Sequence, residues 1–347
     1  MTNLDLFLQR GPQGGDVTAS LEELRQIVLL DGIPANNDGT SDLRAYTWLI
    51  LLNAPPLSTD TYLDLVRQGA SPAYDKIRND TFRTLTTDPL FRRRVTENTL
   101  SRVLNAIAWK LQDAHEARVN GWMSPPTLDI PKSIDGRDGD GTFHSPASVS
   151  TRHGRASLAG TEGSEAGDVA STTNSVASVG YVQGMNVMAA PFLYAARSEA
   201  EAFAGFDRFI TVEVPGYVRG SMDGVHKGLA LVDRLLELLD PELANHMLSK
   251  GMKAEIYAFP SVLTMCACTP PLPEVLILWD FLFAYGPHLN LLCIVAQLVI
   301  ARDQLLNTTS PKPDFKPLRA KQTVDVTLEL ARKVPDDLYQ EMLLHAK

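Results

Sequence analysis

The chain has 347 residues, of which 44% are apolar and 21% charged, with a net charge of −9 and a pI near 5.3. That is enough apolar content for a sizeable core. The acidic balance argues against a general nucleic-acid binder, which needs a surplus of Lys and Arg to neutralise phosphates.

Residues 1–10 carry an apolar patch but neither a basic start nor a long hydrophobic run, so no leader is expected there. The first element signal is Ser20-Leu-Glu-Glu23, with the Ser-to-Glu spacing of a capping box. It predicts a helix carrying Leu24, Ile27 and Val28, and leaves residues 1–20 as a separate N-terminal segment. Residues 43–52 predict a second helix, stopped by Asn53-Ala-Pro-Pro56. It sets Arg44 and Trp48 four apart on one face, where an arginine can stack on the indole or hydrogen-bond across it, a supporting role. Residues 62–67 are a further helical candidate.

Ile77-Arg-Asn-Asp80-Thr-Phe-Arg83 places Asp80 and Arg83 three apart, so on one helical turn they face the same side and can pair. Ile77 and Phe82 are expected to anchor that turn in the core. Arg92-Arg93-Arg94 follows as a candidate basic face. Residues 97–115 then align Leu100, Val103, Leu104, Ile107, Ala108 and Leu111 at helical spacing, with Trp109 off that stripe.

From 122 to 178 the chain fills with Gly, Ser, Thr, Ala, Asp and Pro. Such a stretch buries too little apolar surface to offset its ordering entropy, which predicts a disordered insertion. Its Ser145-Pro146 is a candidate site of proline-directed phosphorylation. Tyr181-Val-Gln183-Gly184-Met185-Asn186 closes it. There Gly184 permits a positive φ that would present Gln183 at a helix start.

The remaining part of the chain is more apolar, with helices predicted over 186–196, 200–211 and 228–239. Asp240-Pro241 supplies an N-cap followed by proline at the first helical position. A helix over 273–283 is apolar nearly all round and should be central. Residues 289–306 form the next, interrupted by Asn290 and Gln297 and short of the ~20 apolar residues a membrane span needs. Pro311-Lys-Pro313 precedes a final pair near 324–333 and 336–345, and strand-like alternation is scarce. The fold class predicted is all-α. Cys266, Cys268 and Cys293 lie in apolar segments without a second Cys/His pair, so buried free thiols and no metal site are expected, in a soluble intracellular protein.

Hydrolysis of GTP by Ras-like proteins is slow because charge on the transferring phosphoryl is poorly compensated and the attacking water poorly held. An arginine supplied from outside meets the first need, and an amide side chain the second. In Ras such an arginine is worth roughly 10³–10⁵ in rate, about 4–7 kcal/mol of barrier. Taken singly, Asp80-x-x-Arg83 suits a solvated ion pair as well as an orienting carboxylate with its arginine. The Gln183 string equally suits an ordinary loop-to-helix entry.

Together the three strings resemble the R-x-x-x-W, I-x-x-D-x-x-R and Y-x-Q-G-M motifs of the TBC domain, in that family's order. Leu278-Trp279-Asp280-Phe-Leu-Phe-Ala-Tyr-Gly286 is similar to its hydrophobic-Trp-Asp…Gly segment. The resemblance covers 21–306, with 122–178 as an insertion longer than many members carry and 307–347 as a C-terminal helical extension. The stretches 74–95, 254–264 and 279–286 further resemble the fungal spindle-checkpoint branch, whose members form a two-component GTPase-activating protein with a scaffold subunit.

What the resemblance implies is an enzyme regulator. It would activate a Ras- or Rab-like small GTPase, restrain mitotic exit or septation, and reside in the cytoplasm and at the spindle pole body. Arg83 would be the arginine finger, Asp80 its orienting carboxylate and Gln183 the glutamine finger. Tyr181, Gly184, Met185 and Asn186 would shape the glutamine loop, and Arg44, Trp48 and Ile77 would support the core. GTP and Mg²⁺ would arrive on the GTPase, so no cofactor, nucleic acid or membrane insertion is expected. Two other readings stay open: a non-catalytic adaptor that binds a GTPase or scaffold, and a Rab regulator in membrane traffic.

Overall fold

The structure, a computed structural model, describes residues 2–12, 15–56, 58–84, 88–121, 180–219 and 221–347, with every side chain among them except that of Arg83. The insertion expected at 122–178 lies outside the described residues.

Eighteen α-helices run through the described residues, and no strand occurs among them. In order they are α1 (Asn3–Arg10), α2 (Val17–Asp31), α3 (Arg44–Leu51), α4 (Thr59–Arg67), α5 (Tyr74–Thr84) and α6 (Glu97–Val119). After the insertion come α7 (Met185–Ala195), α8 (Glu199–Arg208), α9 (Pro215–Val218), α10 (Asp223–Leu239), α11 (Pro241–Ser249) and α12 (Ala254–Tyr257). The last are α13 (Phe259–Leu263), α14 (Leu272–Tyr285), α15 (Asn290–Ile300), α16 (Arg302–Leu306), α17 (Ala320–Ala331) and α18 (Asp336–Leu344).

The two segments of higher apolar density, α14 and α15, are buried along nearly their whole length, as is α7. A helix apolar on all sides needs neighbours on all sides. α14 has them in α2, α3 and α17, and α15 in α10 and α17. Trp48, Phe192, Phe209, Trp279 and Phe283 form one aromatic cluster at this centre, with Trp48 edge-on to Phe283 at 5.1 Å.

Several local expectations shift. Ser20 is not the cap of α2: Asp16 is, accepting from the Ala19 amide at 2.9 Å, and Ser20 lies one turn inside with its hydroxyl on the Asp16 carbonyl. Helix α1 was not expected. Thr2 caps it through a box with Asp5, a Thr-x-x-Asp signal legible in the sequence. The amide that opens α14, that of Leu272, donates to Asp88 at 2.7 Å rather than to a local cap. The run 289–306 breaks at Ala301 into α15 and α16.

The end of the chain is tied to the body. The Gly216 amide donates to the Ala346 carbonyl at 2.7 Å. His345 binds the Met342 carbonyl through Nδ1, which therefore carries the proton, and its Nε2 accepts from the Tyr217 hydroxyl at 2.8 Å. Cys266 and Cys293 are buried and free, Cys268 half-buried. Burial pushes the Cys293 thiol up to about 12 and that of Cys266 well above its usual range, which leaves both inert.

Candidate functional site

The three sequence motifs fall on α3, on α5 and at the entry to α7, and the fold gathers the last two into one hydrogen-bonded unit. On α5 the residues facing the body are Ile77, Asp80, Thr81 and Thr84, all buried. Phe82 does not join them: it is 65% exposed, against the expectation that it anchors the turn. The reason is angular. At about 100° per residue, position 82 lies roughly 140° round the helix from Ile77.

Asn186, in the first turn of α7, is the hub. Its Nδ2 donates to the Thr84 hydroxyl at 2.6 Å and to the Asp80 carbonyl at 3.3 Å, while its Oδ1 accepts from the Gly184 amide at 3.0 Å. The Tyr181 hydroxyl lies 3.1 Å from the Asp80 carboxylate and 3.2 Å from Asn186 Oδ1, so its single proton bridges the two elements. Asn186, Tyr181 and Asp80 are 5% exposed or less, which makes each of these bonds costly to lose. Lys76, exposed on α5, sits 6.0 Å from the centre of the Tyr181 ring.

The turn held this way bears Gln183. Gly184 adopts φ +107°, a conformation that glycine alone enters freely, and a Cβ there would lie 2.7 Å from Leu263 Cδ2. Gln183 itself is exposed, and its amide makes no hydrogen bond among the described residues. Met185 is buried beneath it, its sulfur taking the Val182 amide at 3.2 Å. Residue 83 occupies the last turn of α5, one position before its end. The expected pairing of its side chain with Asp80 lies outside the described residues.

Arg44 and Trp48 do not meet by stacking. Both converge on Asp280 of α14, a residue to which the sequence reading attached no separate role. Arg44 donates from Nε and Nη2 at 3.0 Å each, and from Nη1 to the Gly39 carbonyl, while the Trp48 indole donates at 2.7 Å. Burial pushes the Asp280 carboxyl up from its usual range, and the guanidinium and indole donors oppose that. The signal was present as the Trp279-Asp280 pair, but nothing in its spacing indicated a partner 236 residues away. The three arginines at 92–94 separate likewise. All three are exposed; Arg93 turns to Asp38 at 3.4 Å, and Arg94 to the Ala196 carbonyl and the Tyr194 ring.

Among the described residues no group of His, Cys, Asp and Glu is placed to hold a metal ion, and no helix is long and apolar enough to cross a membrane.

A family model described as the Rab-GTPase-TBC domain matches residues 171–306. Cell division control protein 16 of Schizosaccharomyces pombe is 40% identical over 329 residues, covering 94% of this chain and 88% of that protein. The chain belongs to the TBC family. The mitotic check point protein BUB2 of Saccharomyces cerevisiae is 32% identical over 337 residues, covering 94% of this chain and 92% of its own length. Among solved structures, the YPT/RAB-GAP domain of Gyp1p superposes with a TM-score of 0.59 at 15% identity, covering 95% of this chain and 98% of that one. That likeness shows a common all-helical fold.

Proposed function

We propose that this chain is a GTPase-activating subunit that supplies Arg83 and Gln183 to a Ras- or Rab-like small GTPase. The observation that carries this reading is the unit formed by Asp80, Thr84, Tyr181 and Asn186, which makes the last turn of α5 and the Gln183 turn one rigid body. An arginine offered as transition-state charge and an amide offered to the attacking water must keep a fixed separation. Electrostatic catalysis depends on donors placed before the reaction begins. Gln183 is exposed and uncommitted to any hydrogen bond among the described residues, as a side chain that works on a partner's water must be. Asp80 orients Arg83, three residues along the same helix. Arg44, Trp48 and Asp280 hold the scaffold and touch no reactant. Nucleotide and Mg²⁺ ride on the GTPase, and this chain contributes no cofactor.

The biological setting follows from the relatives, whose names place them in cell-division control and the mitotic checkpoint. On that basis this chain restrains mitotic exit or septation at the spindle pole body, together with a scaffold subunit.

The test is single-turnover GTP hydrolysis on a mitotic-exit-type GTPase, with and without a scaffold subunit, for wild type, Arg83→Ala and Gln183→Ala. Stimulation by wild type, with each substitution removing orders of magnitude while binding persists, supports the reading. Binding without stimulation in the wild-type complex would make the chain an adaptor and sink the finger assignments for that GTPase.

A further inference from the structure

Phe82 stands out once it is off the core. It is 65% exposed on a helix, α5, whose other outward positions are Asp75, Lys76, Arg78 and Asn79. Single exposed apolar residues are ordinary on protein surfaces. This one differs by its neighbour, since it directly precedes residue 83. Positions 82 and 83 are about 3.8 Å apart at Cα and about 100° apart round the helix.

The ring also borders a groove of about 840 Å³ between the end of α4, the outer face of α5 and the start of α6. That groove is walled mainly by polar side chains, among them Tyr74, Arg78, Asn79, Asn98 and Asn105. An aromatic ring surrounded by polar groups has the anatomy of an interface anchor: one large apolar side chain that is desolvated on binding, with a polar rim around it.

We infer that Phe82 is the apolar anchor by which this chain grips its GTPase, setting affinity while residues 83 and 183 set rate. The inference rests on the function proposed above. Any partner that receives residue 83 in its nucleotide site must cover its neighbour, because a standard interface spans roughly 800 Å² on each side, far more than one helical turn. The partner that fits is a small GTPase with an apolar depression beside its nucleotide site and polar or charged groups around that depression. Phe82 takes no part in the network of Asp80, Thr84, Tyr181 and Asn186, so its removal leaves the finger unit standing.

The test reads binding and hydrolysis separately for wild type, Phe82→Leu and Phe82→Ala in the full chain. Binding is measured by titrating the GTPase loaded with a non-hydrolysable GTP analogue. Hydrolysis is measured as the single-turnover rate against increasing concentration of the chain. Phe82→Ala should raise the dissociation constant and the half-saturating concentration at least tenfold, leave the plateau rate within about twofold, and leave the thermal midpoint near wild type. Phe82→Leu should fall between.

Unchanged affinity in Phe82→Ala overturns the inference, as does a fallen plateau with unchanged half-saturation. So does a change confined to self-association in sedimentation, which would make the ring a contact between copies. A wild type that binds but does not accelerate hydrolysis defeats the finger reading alone, and the binding arm still judges Phe82. A wild type that does neither defeats both.

Discussion

Asn186 donates to the Thr84 hydroxyl at 2.6 Å across 102 residues of sequence, and that bond fastens the entry of α7 to the last turn of α5. Replacing Asn186 with Ala strips the Gly184 amide, the Thr84 hydroxyl and the Asp80 carbonyl of one partner each. The Thr84 hydroxyl still donates to the Asp80 carbonyl at 3.2 Å, so the Gly184 amide bears most of the loss, and about 1–3 kcal/mol is expected in urea unfolding. On the function proposed above, GTPase stimulation should fall by more than tenfold at saturating protein, because residues 83 and 183 lose their common frame. Asn186→Asp, which cannot donate from Nδ2, should resemble Ala in rate.

Gly184→Ala should also act on rate. The φ of +107° is unfavourable for alanine, and its methyl would meet Leu263 at 2.7 Å. Strain of this kind costs about 1–3 kcal/mol. The turn should relieve it by swinging Gln183 out of place, with the plateau rate falling further than the affinity. A plateau at the wild-type level would show that the turn tolerates the methyl.

The buried Arg44–Asp280 pair should prove intolerant of half-measures. Both side chains are 6% exposed or less. Asp280→Ala leaves the guanidinium and the Trp48 indole without their acceptor and should cost about 3–5 kcal/mol in urea unfolding. Arg44→Lys should also destabilise, since an ammonium cannot reproduce the bidentate geometry together with the bond to Gly39. The double change Arg44→Met with Asp280→Leu should recover much of the loss.

Acid stability carries a histidine signature. Burial, with the nearby charges of His345 and Lys347 adding to it, lowers the pKa of His288 to about 4, and burial lowers that of His345 as well. The folded-state pKa lies below the unfolded value of about 6.5. The unfolded chain therefore binds the proton more tightly, and the stability contributed above pH 6.5 is lost as pH falls toward 4. For His288 alone this amounts to roughly 2 kcal/mol between pH 7 and pH 4.5. His288→Phe should reduce the difference in unfolding free energy between those two pH values by about that amount. An unchanged difference would show that His288 does not drive the loss.

The sequence reading reached the all-helical class because helical periodicity and caps are local signals. Residues 100–108 announce their buried face, and Asp240-Pro241 its helix start, without reference to the rest of the chain. The motifs around Asp80 and Gln183 were legible as strings, and Gln183 and Gly184 lie as their spacing suggested. What could not be read was partnership across sequence. Asp280 answers Arg44 and Trp48 from 236 and 232 residues away, and Asp88 caps a helix 184 residues later. Phe82 was misplaced because its hydrophobicity was weighed without its angle. Ser20 was taken for a cap because its spacing to Glu23 was met, although Asp16 offered the same chemistry one turn earlier.

The bonds from Arg44, Trp48, Asp80 and Thr84 to Asp280, Tyr181 and Asn186 share one topological property. Each joins a residue before position 122 to one after position 179. Energetically residues 2–121 and 180–347 are a pair of complementary fragments written on one polypeptide, and a covalent connection between two such fragments raises their effective concentration. A backbone cut anywhere between those positions should therefore leave a non-covalent complex with its site intact. Residues 1–121 and 180–347, co-expressed as separate chains, should purify together.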